Sequence, residues 1–140
     1  MIFCFLDKYR DAGLLILRVG IGVMFVFHGY PKLIAGPETW AMIGGSMKVL
    51  GIGFAQTAWG FMAALSECAG GILLVLGFLT RPACFFLLMT MVVATMMHIG
   101  KGDPFLKYSH AMESGILFLS LILIGPGKYS LDGQYRPARR

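Results

Sequence analysis

Ionisable side chains interrupt the apolar stretches of this sequence, and their types are those that could do chemistry. A charged side chain near the centre of a membrane helix costs about 2.5–3.5 kcal/mol, so such residues tend to mark functional sites. Imidazoles and carboxylates can transfer protons, and cations beside them can bind an anionic or quinone-like ligand. The set is Arg18, His28, Lys32, Glu67, His98, His110 and Glu113.

Spacing along the sequence places most of this set at one depth. His28 and Lys32 are four residues apart, so they share one helix face. The same holds for His110 and Glu113, which are three residues apart. At ~1.5 Å per residue from the ends of the apolar runs, five groups from four runs fall in a layer about 7 Å thick. We therefore predict one polar pocket that opens to the outer side. Its candidate residues are Arg18, His28, Lys32, Glu67, His110 and Glu113.

Arg18 is expected at the base of this pocket, ~9 Å from the cytoplasmic end of its run. A membrane span offers no cheap place for an isolated charge, and an arginine side chain reaches ~6–7 Å along the helix axis. We therefore expect Arg18 and Glu67 to face the interior and to interact directly or through water. In the plainer alternative the two charges neutralise each other, and the histidines bond only to backbone carbonyls or lipid headgroups.

The same side chains raise the question of a cofactor. Histidine and glutamate ligate metals, and two histidines at equal depth, His28 and His98, could hold a haem. A di-iron site of the carboxylate type needs more carboxylates. The three cysteines form no CxxC pair for thiol–disulfide exchange. These residues alone leave the cofactor unknown: metal and haem are both weakly supported, and no metal is assigned. The weak metal candidates are His28, His98, His110 and Glu113.

Composition indicates which elements must position these residues. Of 140 residues, 57% are hydrophobic and only 14% charged, and the mean hydropathy is +0.75. These values exclude a soluble globule and a disordered chain, and the lipid bilayer is the expected partner. The basic residues lie at segment ends without interleaved aromatics, which excludes nucleic-acid binding. Four apolar runs are long enough to span a bilayer. They are residues 12–34, 54–79, 82–99 and 108–124.

Backbone hydrogen bonding in lipid leaves helices as the only plausible spans of this length. The short turn before Pro82 requires an antiparallel hairpin, so the sequence predicts an all-α membrane protein of one domain, residues 1–140. Its four transmembrane helices would form an antiparallel bundle. Between spans 1 and 2, residues 35–53 place Trp40 and other apolar residues at helical spacing. We predict a short outer interfacial helix here, with an irregular capping loop as the alternative.

Orientation follows from the lysines and arginines at the segment ends. Seven lie on the side of the termini and four on the opposite side, so both termini are expected in the cytoplasm. The first group is Lys8, Arg10, Arg81, Lys128, Arg136, Arg139 and Arg140, and the second is Lys32, Lys48, Lys101 and Lys107.

Several short motifs follow one another along residues 13–133: LRVG at 17–20, HGYPKL at 28–33, Glu67 with GG at 70–71, LGFLTR at 76–81 and GPGKYSLD at 125–132. In this order they resemble the motifs of the DoxX family of small four-helix membrane proteins. The resemblance implies a multi-pass protein of the bacterial inner (cytoplasmic) membrane. It also implies an association with thiosulfate oxidation and quinone reduction, or with redox-enzyme complexes that resist oxidative stress. The motif positions carried over are Arg18, His28, Lys32, Glu67, Arg81 and Asp132.

Two functions remain open at this point. In the first, the protein is a component of a membrane redox system, with a redox partner protein and an outward-opening pocket for a quinone or a small redox-active ligand. In the second, it is a non-catalytic scaffold or a small-molecule carrier that recruits a partner enzyme. The chain has no recognisable cofactor fingerprint, which favours the second, whereas the resemblance favours the first. Whether the protein catalyses a reaction is left open.

Overall fold

Helices make up most of residues 4–134, which are the part of the chain that the computed structural model describes. This part contains no β-strand. The four long helices begin and end within three residues of the predicted apolar runs. The α-helices are α1 (Arg10–Ile34), α2 (Pro37–Gly44), α3 (Gln56–Leu76), α4 (Thr80–Gly100), α5 (Phe105–Ile124) and the short α6 (Leu131–Gln134). Two 3-10 helices, Cys4–Tyr9 and Gly45–Leu50, precede α1 and follow α2.

Glycines bring α1 and α3 into direct backbone contact. A Cβ on Gly22 would lie 2.7 Å from the carbonyl oxygen of Gly71, and one on Gly29 would lie 2.4 Å from the amide nitrogen of Cys68. The two helices therefore run in opposite directions, since positions later in α1 meet positions earlier in α3. Such close approach of small residues is the usual basis of helix association in membranes.

One apolar core joins the four long helices. Phe25 of α1 and Phe118 of α5 meet edge to face, with ring centroids 4.8 Å apart. Gly70 of α3 packs against Leu87 of α4, so each long helix buries one face against the others. The buried members of the core are Leu14, Phe25, Leu74, Cys84, Leu87, Met91, Ala111, Phe118 and Leu121.

A short helix, α2, lies where residues 35–53 predicted one. It begins after Gly36, which has φ of +90°, and carries Pro37 in its first turn. Its backbone rests on α3, because a Cβ on Gly60 would lie only 1.7 Å from the carbonyl oxygen of Trp40. The indole nitrogen of Trp40 also donates a hydrogen bond to the carbonyl oxygen of Lys32, 2.9 Å away. These contacts fix α2 over one end of α1 and α3.

Three helical segments in the described part are long and apolar enough to cross a membrane: Leu6–Ile34, Gln56–Leu76 and Thr80–Gly100. The prediction of four spans is therefore supported for three. α5 has the length of a span, about 30 Å at 1.5 Å per residue. Its first half carries Lys107, His110 and Glu113, which lower its hydropathy.

Candidate functional site

Arg18 lies in the interior, with no exposed surface. Its Nη1 donates a hydrogen bond to the carbonyl oxygen of Leu74 at 2.9 Å, and its Nη2 donates one to that of Tyr129. Its Nε has no partner among the described residues. Gly77 lies against the guanidinium, since a Cβ there would be 2.0 Å from Nη1. Arg18 thus binds the end of α3 to the segment that follows α5.

That segment, residues 125–134, is called the tail here. The carboxylate of Asp132 accepts hydrogen bonds from the backbone N–H groups of Leu79 and Thr80, at 2.9 and 2.8 Å. It therefore caps the first turn of α4, where a helix leaves amide groups unpaired. The carboxylate of Asp11 accepts the backbone N–H of Lys128 at 2.9 Å. The motif residue Arg81 is exposed at the start of α4. These contacts give Arg18 and Asp132 a shared role in holding the tail.

Lys32 and Glu67 form a two-pronged ion pair between α1 and α3. The ammonium nitrogen lies 2.8 Å from Oε1 and 2.6 Å from Oε2 of the carboxylate. The side chain of Glu67 is only 4% exposed, whereas that of Lys32 is 38% exposed. Glu67 packs against Gly29, whose missing side chain makes room for it. The buried carboxylate is therefore satisfied by a lysine that itself reaches the surface.

His28 and His110 lie beside each other on the outside of the α1–α5 contact. Their ring centroids are 5.5 Å apart and tilted by 53°, and both residues are exposed. Glu113, one turn further along α5, is also exposed and forms no ion pair within the described residues. We call His28, His110 and Glu113 the polar seam. Lys32 follows His28 by one turn of α1, so the ion pair adjoins the seam.

A separate charged cluster closes the turn between α4 and α5. The Nδ1 atom of His98 lies 2.7 Å from one carboxylate oxygen of Asp103, and the ammonium of Lys107 lies 2.9 Å from the other. These two side-chain hydrogen bonds, that of His98 first, hold the pKa of the Asp103 carboxyl below its usual range. His98 therefore belongs to this turn and its ring bonds to Asp103.

Two of the cavities in the described part lie away from the predicted site residues, none of which lines either of them. One is an apolar groove of about 260 Å³ between α4 and α5. The other, of about 380 Å³, lies between the first turn of α1, the end of α5 and the tail. Within residues 4–134, no group of three or more histidine, cysteine, aspartate and glutamate side chains could hold a metal ion.

The predicted residues are thus distributed over three places. The structure brings His28 and His110 together, with Glu113 one turn from His110 on α5 and Lys32 one turn from His28 on α1. Arg18 and Glu67 both face the interior as expected, but no direct bond joins them within the described part, where each has another partner. Arg18 instead points toward the tail, where its guanidinium bonds to the carbonyl oxygen of Tyr129.

Three partners of the site residues were not predicted from the sequence: Trp40, Asp11 and Tyr129. Trp40 was expected only as an interfacial anchor, yet its indole bonds to the backbone of Lys32. Tyr129 contributes a carbonyl oxygen, which leaves no signature in a sequence. For Asp11, the signal available was an acid in the first turn of α1.

Comparison with known proteins gives consistent matches. The family model for DoxX matches residues 13–99. An uncharacterized protein of Haemophilus influenzae is 33% identical over 136 residues, which cover 93% of this chain and 96% of that protein. Two Escherichia coli proteins are also similar. Inner membrane protein YphA is 30% identical over 142 residues, 89% of this chain and 96% of its own length. Inner membrane protein YqjF is 29% identical over 135 residues, 91% and 95% of the two chains.

Proposed function

This chain belongs to the DoxX family, and from that premise we propose that it is a component of a redox system in the inner membrane that binds a quinone at the polar seam. The observation that carries the proposal is the pair of exposed imidazoles, His28 and His110, with ring centroids 5.5 Å apart on two different helices. Polar side chains on the membrane-facing surface of a helix pair are costly unless they have a ligand or partner.

The proposed architecture is an antiparallel bundle of four transmembrane helices, with α5 as the fourth span. Phe118 and Leu121 of α5 are fully buried in the core that the other long helices share, which supports this assignment. The helix α2 would lie at the outer interface, and both termini would be cytoplasmic. A reporter enzyme that works only in the cytoplasm should be active when it is fused after the tail. Activity of a periplasm-specific reporter at the same site would refute the orientation.

The chemistry of the seam fits a quinone headgroup. Quinone carbonyls accept hydrogen bonds, and a neutral imidazole has one N–H to donate. The seam opens sideways, so an isoprenoid tail could stay in the lipid while the headgroup meets His28 and His110. Reduction of a quinone to a quinol consumes two electrons and two protons. Glu113 and the imidazoles would relay the protons, and a partner redox protein would supply the electrons.

The test is a titration of a short-chain ubiquinone into the protein in lipid nanodiscs, followed by tryptophan fluorescence. His28→Leu and His110→Leu each remove one donor, which is worth about 1 kcal/mol, or about fivefold in affinity. The double variant should bind about 30-fold more weakly. The matched control is His98→Leu, which removes an imidazole bonded to Asp103 at another place. Absence of saturable binding, or an equal loss in the control, would contradict the quinone site.

A scaffold role is the second candidate, and one observation favours it. Glu113 and the two seam histidines are exposed, and none of them lines the groove between α4 and α5 or the cavity beside the tail. A partner's transmembrane helix could cover them, since polar side chains stabilise helix contacts in membranes. In that case Glu113→Gln should reduce the size of the complex extracted in mild detergent. An unchanged size, together with quinone binding, would exclude this role for the seam.

A further inference from the structure

The cavity of about 380 Å³ beside the tail has a charged rim that neither the ion pair nor the polar seam uses. Arg10 and Lys128 line it, both are exposed, and neither forms an ion pair with another described residue. The ammonium of Lys128 lies 5.9 Å from the centre of the Tyr129 ring. Among the described residues that line the cavity, Asp11 is the only acid, and its Oδ1 already accepts the backbone N–H of Lys128. The lining residues thus carry a net charge of +1.

Three apolar side chains also line this largely polar cavity. Leu14 of α1, Ile124 at the end of α5 and Pro126 of the tail lie next to the two cations. Ile124 is 47% exposed and the preceding Leu123 is 73% exposed, so an apolar surface continues from the cavity along α5. Arg10 is the first residue of α1, and the apolar run of that helix begins just after it. The cavity therefore joins a charged rim to an apolar helix end, the combination expected at the level where headgroups give way to acyl chains.

We propose that this cavity binds the phosphate headgroup of an anionic phospholipid, whose acyl chains extend along the exposed end of α5. Arg10 and Lys128 supply the positive charge, and basic pockets at helix ends recognise such headgroups. Its volume falls within the range of small-molecule sites. A free phosphate ion shares the anionic chemistry, but it would leave the apolar wall unused.

Native mass spectrometry of the full chain in dodecylmaltoside, with added phosphatidylglycerol or phosphatidylcholine, tests this site. Each cation near a membrane surface contributes about fivefold to the affinity for anionic lipid. We expect phosphatidylglycerol to bind about 25-fold more tightly than phosphatidylcholine. The double variant Arg10→Gln/Lys128→Gln should lose this preference. The matched control, Lys48→Gln/Lys101→Gln, removes two exposed lysines elsewhere and should keep it.

Three results would overturn the proposal. The first is equal binding of the two lipids by the unmodified protein, and the second is an equal loss of preference in the control variant, which would indicate general surface charge. The third is full displacement of phosphatidylglycerol by inorganic phosphate alone, which would indicate a site for the free anion. If the double variant fails to fold, Lys128→Gln alone serves, because the backbone N–H that bonds to Asp11 remains. It should weaken phosphatidylglycerol binding about fivefold, and an unchanged affinity would overturn the proposal.

Discussion

Replacing Lys32 by methionine should destabilise the fold by about 3 kcal/mol, because it leaves the carboxylate of Glu67 buried without either of its hydrogen bonds. We take the lower end of the range for broken buried ion pairs, since the Lys32 side chain is 38% exposed. The reverse change, Glu67→Met, should cost only about 1 kcal/mol, because the freed ammonium can reach the membrane surface. The double variant should resemble Glu67→Met, so the coupling between the two positions is about 3 kcal/mol, or about 150-fold in the unfolding equilibrium.

The assay is unfolding in mixed dodecylmaltoside and dodecyl sulfate micelles, followed by far-ultraviolet circular dichroism. The two single variants and the double variant form a cycle from which the coupling is read. Lys48→Met is the matched control, because Lys48 is an exposed lysine on the 3-10 helix after α2. Its effect should add to that of Glu67→Met. Strict additivity of Lys32→Met and Glu67→Met would refute the reasoning, because it would show that the ion pair contributes nothing to stability.

Two further perturbations test other parts of the site. Gly77→Ala should destabilise the fold by about 2–3 kcal/mol in the same assay, because φ at this position is +67° and the new Cβ would displace the Arg18 guanidinium. Gly20→Ala, in open space on α1, should be neutral or stabilising, and an equal loss there would contradict this account. The hydrogen bond with His98 lowers the pKa of Asp103, so its stabilisation is present above about pH 4 and lost as the pH falls through the lowered pKa. Asp103→Asn should therefore flatten the acid limb of the stability profile, and an unchanged limb would exclude this role.

The positions of the helices were predictable because their physical cause is local. A run of about 20 apolar residues in lipid must satisfy its own backbone, which only a helix does. The ends were less predictable, since they depend on single turns. α3, for example, ends where Gly77 adopts the left-handed conformation, three residues before the predicted run does. α5 does not reach the hydropathy of a typical span because its first half is polar. That same half carries the two seam residues His110 and Glu113.

The partners of the site residues were only partly predictable. Counting residues from a helix end gives only a depth, which places His28 in one layer with both His98 and His110 and puts Arg18 within reach of Glu67. In the structure His110 is the histidine beside His28, and Arg18 bonds to backbone carbonyl oxygens rather than directly to Glu67. Pairing also depends on which helices pack together and on which acceptors lie nearby. Because Gly29 has no side chain, Glu67 can pack against α1 on the side that carries Lys32. Arg18 instead donates to the carbonyl oxygen of Tyr129, 111 residues later in the chain.

The contact between Arg18 and the tail has a consequence for the order in which the protein is made. Arg18 enters the growing chain 111 residues before Tyr129, whose carbonyl oxygen it needs. At synthesis rates of about 5–20 residues per second, roughly 6–22 s separate the two. During that interval the Arg18 guanidinium lacks the Tyr129 carbonyl oxygen that it bonds in the finished fold. A chain that stops before Tyr129 never completes it, so the tail makes the stability of the first helix depend on the completion of translation.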